Sequence, residues 1–282
     1  MVNQPVEVTE KVVGVGGVGV VTIEGGSGRP LLMLHDELGF PGWMQWNEVL
    51  AAERRFIVPL QPGFGRTPRV DWFRSVRDVA AFYARMVREL GVGPIDVMGF
   101  SLGGWIAAEM AAAAPELFER VVLVAPLGVR PAKGEILDFL AMTMRRHVMA
   151  TVSNQAAEEA TALYGGGVSP EQYELFEAAR AESSRLAWEP FMHDHTLPHR
   201  LGGVQGPDTL ILWGDKDQVV PRGCAEIYAE AIPGARLEII PGAGHRPEIE
   251  DRERFVGLVG AFLKAPPAAD ALSGPKSFVR VN

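Results

Sequence analysis

The chain has 282 residues, 47% of them hydrophobic and 22% charged, an ordinary globular composition long enough for one large α/β domain or a core carrying a smaller insertion. Its formal net charge of −8, with no basic stripe to offset it, opposes binding to a phosphate backbone, so nucleic acid is not an expected partner. No apolar run approaches the roughly 18 residues of a membrane span, the N-terminus carries no signal-peptide pattern and the lone Cys224 has no internal partner. The expected location is therefore the cytoplasm, with no membrane association.

Val6 to Val13 and Gly19 to Glu24 read as two strands around a glycine-rich turn, and the short apolar run Leu31 to Leu34 reads as a central strand leading into His35. Trp43 to Ala52 is an expected helix, Phe56 to Leu60 a strand, and Gln61-Pro62-Gly63-Phe64-Gly65 a turn-rich loop. Val76, Val79, Ala80, Tyr83, Met86, Val87 and Leu90 follow three-and-four spacing, with Gly91 placed as a C-terminal cap. A strand Ile95 to Phe100, an alanine-rich helix from Trp105 to Ala114 and a strand Val121 to Ala125 continue an alternation that implies a mostly parallel sheet with helices on both faces. From about Pro126 to Leu201 the alternation gives way to expected helices near Glu135 to Met149, Gln155 to Tyr164 and Pro170 to Leu186. It resumes with a strand Thr209 to Trp213, a helix Arg222 to Ala231, a strand Arg236 to Ile240 and a helix Asp251 to Lys264. The expected organisation is a core of residues 1–126 and 202–264, a helical insertion at 127–201 and a frayed tail at 265–282.

Chemistry concentrates at Gly99-Phe100-Ser101-Leu102-Gly103, a G-x-S-x-G element between a strand and a helix. A serine on so sharp a turn projects its hydroxyl outward, the glycines leave room for the bent backbone, and the positive end of the following helix favours negative charge at Ser101. A serine hydroxyl is a weak nucleophile near neutral pH and requires a base and a group to orient that base. Gly214-Asp215-Lys216-Asp217 and Gly242-Ala243-Gly244-His245 each follow an apolar strand, placing two carboxylates and a histidine where open α/β sheets bind their ligands. Chemistry alone does not choose between Asp215 and Asp217.

These motifs, in the order serine, acid, histidine, resemble those of the α/β-hydrolase superfamily over roughly residues 20 to 264. The resemblance implies an α/β-hydrolase fold with a helical cap inserted after the strand ending at Ala125. It further implies Ser101 as nucleophile, His245 as base and Asp217 as its orienting acid, with Asp215 a turn residue. It places an oxyanion hole at the backbone N–H of Leu102 and one in the loop after Leu34, where Glu37 is the donor by position and Asp36 the runner-up. There the chain departs from the pattern: His35-Asp36-Glu37 puts Asp where glycine is usual, so two carboxylates flank a site meant to hold negative charge unless they turn outward into solvent. Gln61 similarly stands where the superfamily often carries aspartate. His35, Phe100, Trp105, Phe139 and Trp188 are the expected substrate-pocket residues, although for any single residue of the insertion, such as Phe139 or Trp188, packing against the core is the favoured reading, which leaves Phe100 and Trp105 the better candidates.

Two further motifs are discounted. Gly14-Val15-Gly16-Gly17-Val18-Gly19 fits G-x-G-x-x-G but leads into the β-branched run Val20 to Ile23 instead of a helix, so it reads as a hairpin and no cofactor is expected. His193, His195 and His199 cluster around two prolines without helical spacing, so no metal is expected either. The leading expectation is a serine hydrolase cleaving a small to medium, largely apolar carboxylic ester through an acyl-enzyme intermediate. The alternatives are hydrolysis of a carbon–carbon bond in a vinylogous diketone, peroxyacid formation from the same acyl-enzyme, and a non-catalytic ligand sensor on the same scaffold. The sequence does not fix the oligomeric state.

Overall fold

The computed structural model describes residues 5–164, 169–189, 191–204 and 207–265. Eight strands, β1 (Val8–Val15), β2 (Val18–Gly25), β3 (Arg29–Leu34), β4 (Arg54–Pro59), β5 (Ile95–Phe100), β6 (Phe118–Val124), β7 (Asp208–Gly214) and β8 (Arg236–Ile240), form one sheet in the order β1-β2-β4-β3-β5-β6-β7-β8. β1 and β2 are antiparallel to each other and β2 to β4, and every pairing from β4 to β8 is parallel. The hairpin between β1 and β2 turns at Gly16 and Gly17, both at positive φ, so the G-x-G-x-x-G letters serve a tight turn.

Strand alternation sorts the apolar side chains between two cores. Leu32, Leu34, Val97, Val121, Leu123, Ile211 and Trp213 face α2 (Val76–Leu90), α3 (Leu102–Ala113) and α8 (Gly223–Ala231). Leu31, Met33, Met98, Phe100, Val122, Leu210 and Leu212 face α1 (Gln45–Ala51) and α10 (Arg252–Lys264). Both faces of the central strands are thereby buried, as their nearly continuous hydrophobic runs require.

Between β6 and β7 lie α4 (Met144–Thr151), α5 (Glu158–Tyr164), α6 (Pro170–Ala187) and α7 (Leu197–Leu201). The helix expected from Glu135 begins only at Met144. Asp138 Oδ1 accepts from the N–H groups of Leu140 and Ala141, at 3.1 Å each, closing a turn that competes with helix, and Thr143 then caps α4 by accepting from Arg146 N. α7, preceded by Thr196, packs against α3 and α8, which places it with the core helices. A four-residue helix α9 (Pro247–Glu250), not expected from the sequence, begins two residues after His245. Of the expected tail, only Ala265 falls within the described residues.

Candidate active site

Ser101 sits between β5 and α3 with φ 48° and ψ −110°, a left-handed conformation that costs an L-residue about 1 to 2 kcal/mol. The surrounding backbone holds it there. Ser101 N donates to Val124 O at 3.0 Å, and its carbonyl accepts from Trp105 N at 3.0 Å and Leu127 N at 3.1 Å. A Cβ at Gly103 would overlap the carbonyl oxygens of Leu34 and His35, so glycine lets α3 begin directly against the end of β3. Leu102 opens α3, where backbone N–H groups lack helical partners and the helix dipole is positive.

The loops after β7 and β8 bring an acid to a histidine. Asp217 Oδ2 lies 2.8 Å from His245 Nδ1, while Asp217 Oδ1 accepts from Val219 N at 2.8 Å and Val220 N at 2.9 Å, which fixes the carboxylate plane. Asp215 instead accepts from Gly242 N at 2.6 Å and ties the two loops together. His245 is pulled two ways: burial favours the neutral ring, but Asp217, Glu37 and Asp36 together outweigh it and lift its pKa to about 9.

The loop after β3 is the unexpected part. His35 anchors this loop while also lining a small cavity with Phe100, Arg246 and Glu248: its Nε2 accepts from Gln61 N at 2.9 Å, its Nδ1 donates to Asp36 O at 2.9 Å, and Gln61 Nε2 donates to His35 O at 2.8 Å. Burial holds this ring neutral, with its pKa lowered to about 4. Neither carboxylate turns outward into solvent, since Asp36 is 7% and Glu37 1% exposed. Asp36 accepts from Leu38 N at 2.9 Å and lies 3.7 Å from Arg246 Nε; burial dominates and raises its pKa. Glu37 Oε1 lies 3.2 Å from Nε2 of His147 on α4, and Ser183 Oγ on α6 donates to Glu37 O at 3.0 Å. Burial would push the Glu37 carboxyl up, yet chiefly His147, with His245, more than compensates and holds it below the usual carboxylate range. Glu37 Oε2, Ser101 Oγ and His245 Nε2 are all buried with no hydrogen-bond partner among the described residues.

His147, Ser183 and Arg246 had no sequence signal. A single histidine or serine in a helix lacks a spacing signature, and Arg246 is visible only as the neighbour of His245. Three of the expected aromatic pocket residues also make specific packing or hydrogen-bond contacts. Phe100 ends β5 on the face of α1 and α10, where it packs on Trp46 at 5.4 Å and Phe255 at 6.1 Å. Trp105 donates its indole N–H to Glu109 Oε1 at 3.2 Å, within α3. Trp188 is 41% exposed and packs on Phe191 at 5.1 Å. Phe139 does approach the site indirectly, stacking on the His147 ring at 4.7 Å. A separate apolar cavity of about 550 Å³ lies between β1, α6 and the loop after β3, lined by Leu38, Phe40, Trp43, Phe64, Leu175 and Phe176 among others.

Fold and site define an α/β protein whose serine, acid and histidine lie beyond the carboxyl ends of β5, β7 and β8 in a mostly parallel sheet. The chain belongs to the alpha/beta hydrolase family, enzymes of the serine hydrolase kind, whose model matches residues 31–258. It is 32% identical to a 2-hydroxymuconate semialdehyde hydrolase of Pseudomonas sp. (strain CF600) over 265 residues, covering 87% of this chain and 90% of that protein. It is 27% identical to a 2-hydroxy-6-oxo-2,4-heptadienoate hydrolase of Pseudomonas putida (strain F1), covering 89% and 94%. Among solved structures, a meta-cleavage product hydrolase from Pseudomonas fluorescens IP01 matches with a TM-score of 0.73 at 23% identity, covering 90% of this chain and 97% of that one.

Proposed function

We propose that the protein hydrolyses a carbon–carbon bond in a vinylogous diketone of the kind produced by aromatic ring cleavage, using Ser101 as nucleophile, His245 as proton carrier and Asp217 as the group that orients His245. The observation that carries this reading is the 32% identity to a 2-hydroxymuconate semialdehyde hydrolase, spread over 87% of this chain. The carboxylic ester favoured by the sequence draws on the same three side chains but has only the general support of the family, so the alternative becomes the main reading. No cofactor enters the proposed reaction.

The name of the second relative describes such a substrate, a 6-oxo group conjugated through a 2,4-diene to a 2-hydroxyl. An enol of this kind resists cleavage, because the carbon leaving group would have no electron sink. Protonation of C5 converts it to the ketone, in which the C5–C6 bond can break with its electron pair delocalised into the unsaturated keto acid. Ser101 Oγ then adds to C6 as His245 takes its proton, the C5–C6 bond breaks while His245 returns that proton to carbon, and water releases the acyl group. Backbone N–H groups of Leu102 and Glu37, or of Asp36, are the proposed holders of the oxyanion, a role worth about 3 to 4 kcal/mol for a single donor in other serine hydrolases.

Purified protein assayed against 2-hydroxy-6-oxo-2,4-heptadienoate beside p-nitrophenyl esters of increasing chain length should turn over the dienoate preferentially. Ser101→Ala should lower its kcat by about 10³ to 10⁶ with an unchanged circular dichroism spectrum. Preferential turnover of esters would return the ester reading to first place, and near-normal turnover by Ser101→Ala would remove the serine from the mechanism.

A further inference from the structure

The peptide N–H groups on either side of His245 lead to the inserted helices. Arg246 N donates to the carbonyl of Thr151, the last residue of α4, at 3.2 Å. Gly244 N donates to Glu250 Oε1 at 2.7 Å, and Glu250 Oε2 accepts from Asn154 N, just beyond α4, at 2.6 Å. The two chain segments touch at this point, since a Cβ on Gly244 would lie 2.8 Å from Ser153 N and 3.2 Å from Thr151 O.

A carboxylate suits this place because both neighbours only donate and both of its oxygens only accept, through short charge-assisted bonds. An amide would have to turn its NH₂ toward one of the two donors. Asp215 restrains the same loop earlier, at Gly242 N, and Asp217 holds the ring itself at Nδ1. A bond to the ring leaves the backbone beneath it to be fixed by something else, and the anchors at Gly244 and Arg246 do so within one residue of the histidine. One turn earlier in α4, His147 places Nε2 3.2 Å from Glu37 Oε1, in the loop that supplies a proposed oxyanion donor. One helix therefore touches both the loop that carries the base and the loop that receives the charge.

We propose that Glu250 is a positioning residue: by bridging Gly244 N and Asn154 N it registers His245 against the end of α4 and holds the base in reach of Ser101. This rests on Ser101 and His245 being the reacting pair of the proposed function, and not on which bond they break. The inserted helices then do more than cover the site, because the place of the histidine is set against them. Loss of the bridge leaves the ring paired with Asp217 only as long as the loop beneath it stays put, and a displacement of about 1 Å at a reacting group can cost about 10²-fold in rate.

The test compares full-length wild type with Glu250→Gln, Glu250→Ala and Gly244→Ala. The first gives up one of two acceptors and the second gives up both, while the third keeps the carboxylate and wedges a methyl group against Ser153. Covalent labelling of Ser101 by a fluorophosphonate, counted per folded molecule, should slow in Glu250→Gln and slow further, by about 10²-fold, in Glu250→Ala and Gly244→Ala. Turnover of 2-hydroxy-6-oxo-2,4-heptadienoate should lose kcat in the same order with KM within about twofold. The Nδ1 proton of His245, observed by NMR and assigned with His245→Gln, should broaden or vanish in the two alanine variants. Leu263→Ala, which truncates a buried side chain of α10, destabilises the protein and should leave all three readouts at wild-type values.

Wild-type labelling per folded molecule in Glu250→Ala and Gly244→Ala, a loss confined to KM, or losses that Leu263→Ala reproduces would reduce Glu250 to a structural residue and overturn the proposal. Should Glu250→Ala not fold, Glu250→Gln and Gly244→Ala decide by the same criteria. Slow labelling in the variants of a protein that leaves the dienoate untouched would remove the carbon–carbon reading and keep the role of Glu250. Folded wild type that does not label at Ser101 overturns the reacting pair and the proposal with it.

Discussion

Asp217 shows how much a single carboxylate can carry. One oxygen meets His245 Nδ1 at 2.8 Å and the other is consumed by two backbone N–H groups, so the side chain cannot rotate to serve anything else. Asp217→Asn can keep the shape only by presenting an amide to Nδ1, which favours the wrong tautomer, and the expected loss in kcat is about 10⁴. The same substitution has a thermodynamic signature. Folding raises the His245 pKa from 6.5 to about 9, so the stability it contributes is fully present below 6.5 and is lost as pH rises through 9. Removing Asp217 should flatten that decline, which urea denaturation of both proteins from pH 6 to 9.5 would show; parallel curves would exclude His245 as its source. That Asp217 and not Asp215 reaches the histidine was legible only through family resemblance, because two carboxylates two residues apart in one loop are chemically equivalent until the turn at Gly242 captures the first.

At the level of elements, the strands were legible wherever both faces are buried, since a run such as Leu31 to Leu34 has no competing reading between its flanking turns. The serine turn was legible as a motif, although only Gly99 is demanded by backbone a few residues away, at Gly103, whereas Gly103 is demanded by the distant carbonyls of Leu34 and His35. The insertion was less so. α4 starts nine residues later than expected because Asp138 closes a side-chain turn, a choice that hydrophobic spacing does not record. The direction of Glu37 was not legible at all, since its partner His147 lies 110 residues away and is delivered by tertiary packing. Two glycine-to-alanine substitutions separate backbone demand from mere occurrence. Gly103→Ala, in α3, would force a Cβ into two carbonyl oxygens that cannot retreat, with an expected loss of about 3 kcal/mol or more. Gly257→Ala, in α10, meets open space and should gain about 0.5 to 1 kcal/mol from helix propensity. Thermal unfolding should therefore move in opposite directions for the two variants, and equal shifts would mean that the contact at Leu34 is not what makes Gly103 necessary.

Across the whole molecule, the inserted helices are fastened to the core at the reactive loops themselves. Glu37 meets α4 and α6, Glu250 accepts from Gly244 N beside the histidine and from Asn154 N after α4, and Arg246 donates to Tyr164 Oη of α5 at 2.6 Å and to Glu248 at 2.8 Å. Arg246 is the cation that makes this arrangement tolerable, because it is buried against Asp36 and Glu248 together. Arg246→Met keeps much of the side-chain volume but strands two carboxylates without their counter-ion, and a loss of about 3 to 5 kcal/mol follows from breaking a buried pair at one partner. Tyr164→Phe deletes one hydrogen bond and leaves Arg246 paired, so its cost should be about 1 kcal/mol. Acid separates the two mechanisms. Asp36 already binds its proton more tightly folded than unfolded, with a pKa raised to about 7 chiefly by burial, and loss of Arg246 removes the main influence holding it down. Between pH 7.5 and 5.5 folded Arg246→Met keeps Asp36 protonated throughout, wild type, titrating near 7, takes the proton up only within that window, and both unfolded chains, near 3.8, stay ionised, so Arg246→Met should recover part of its deficit relative to wild type and Tyr164→Phe should recover none. Urea denaturation at the two pH values measures both differences; a deficit in Arg246→Met that is the same at both would place its cost in lost packing and not in stranded charge.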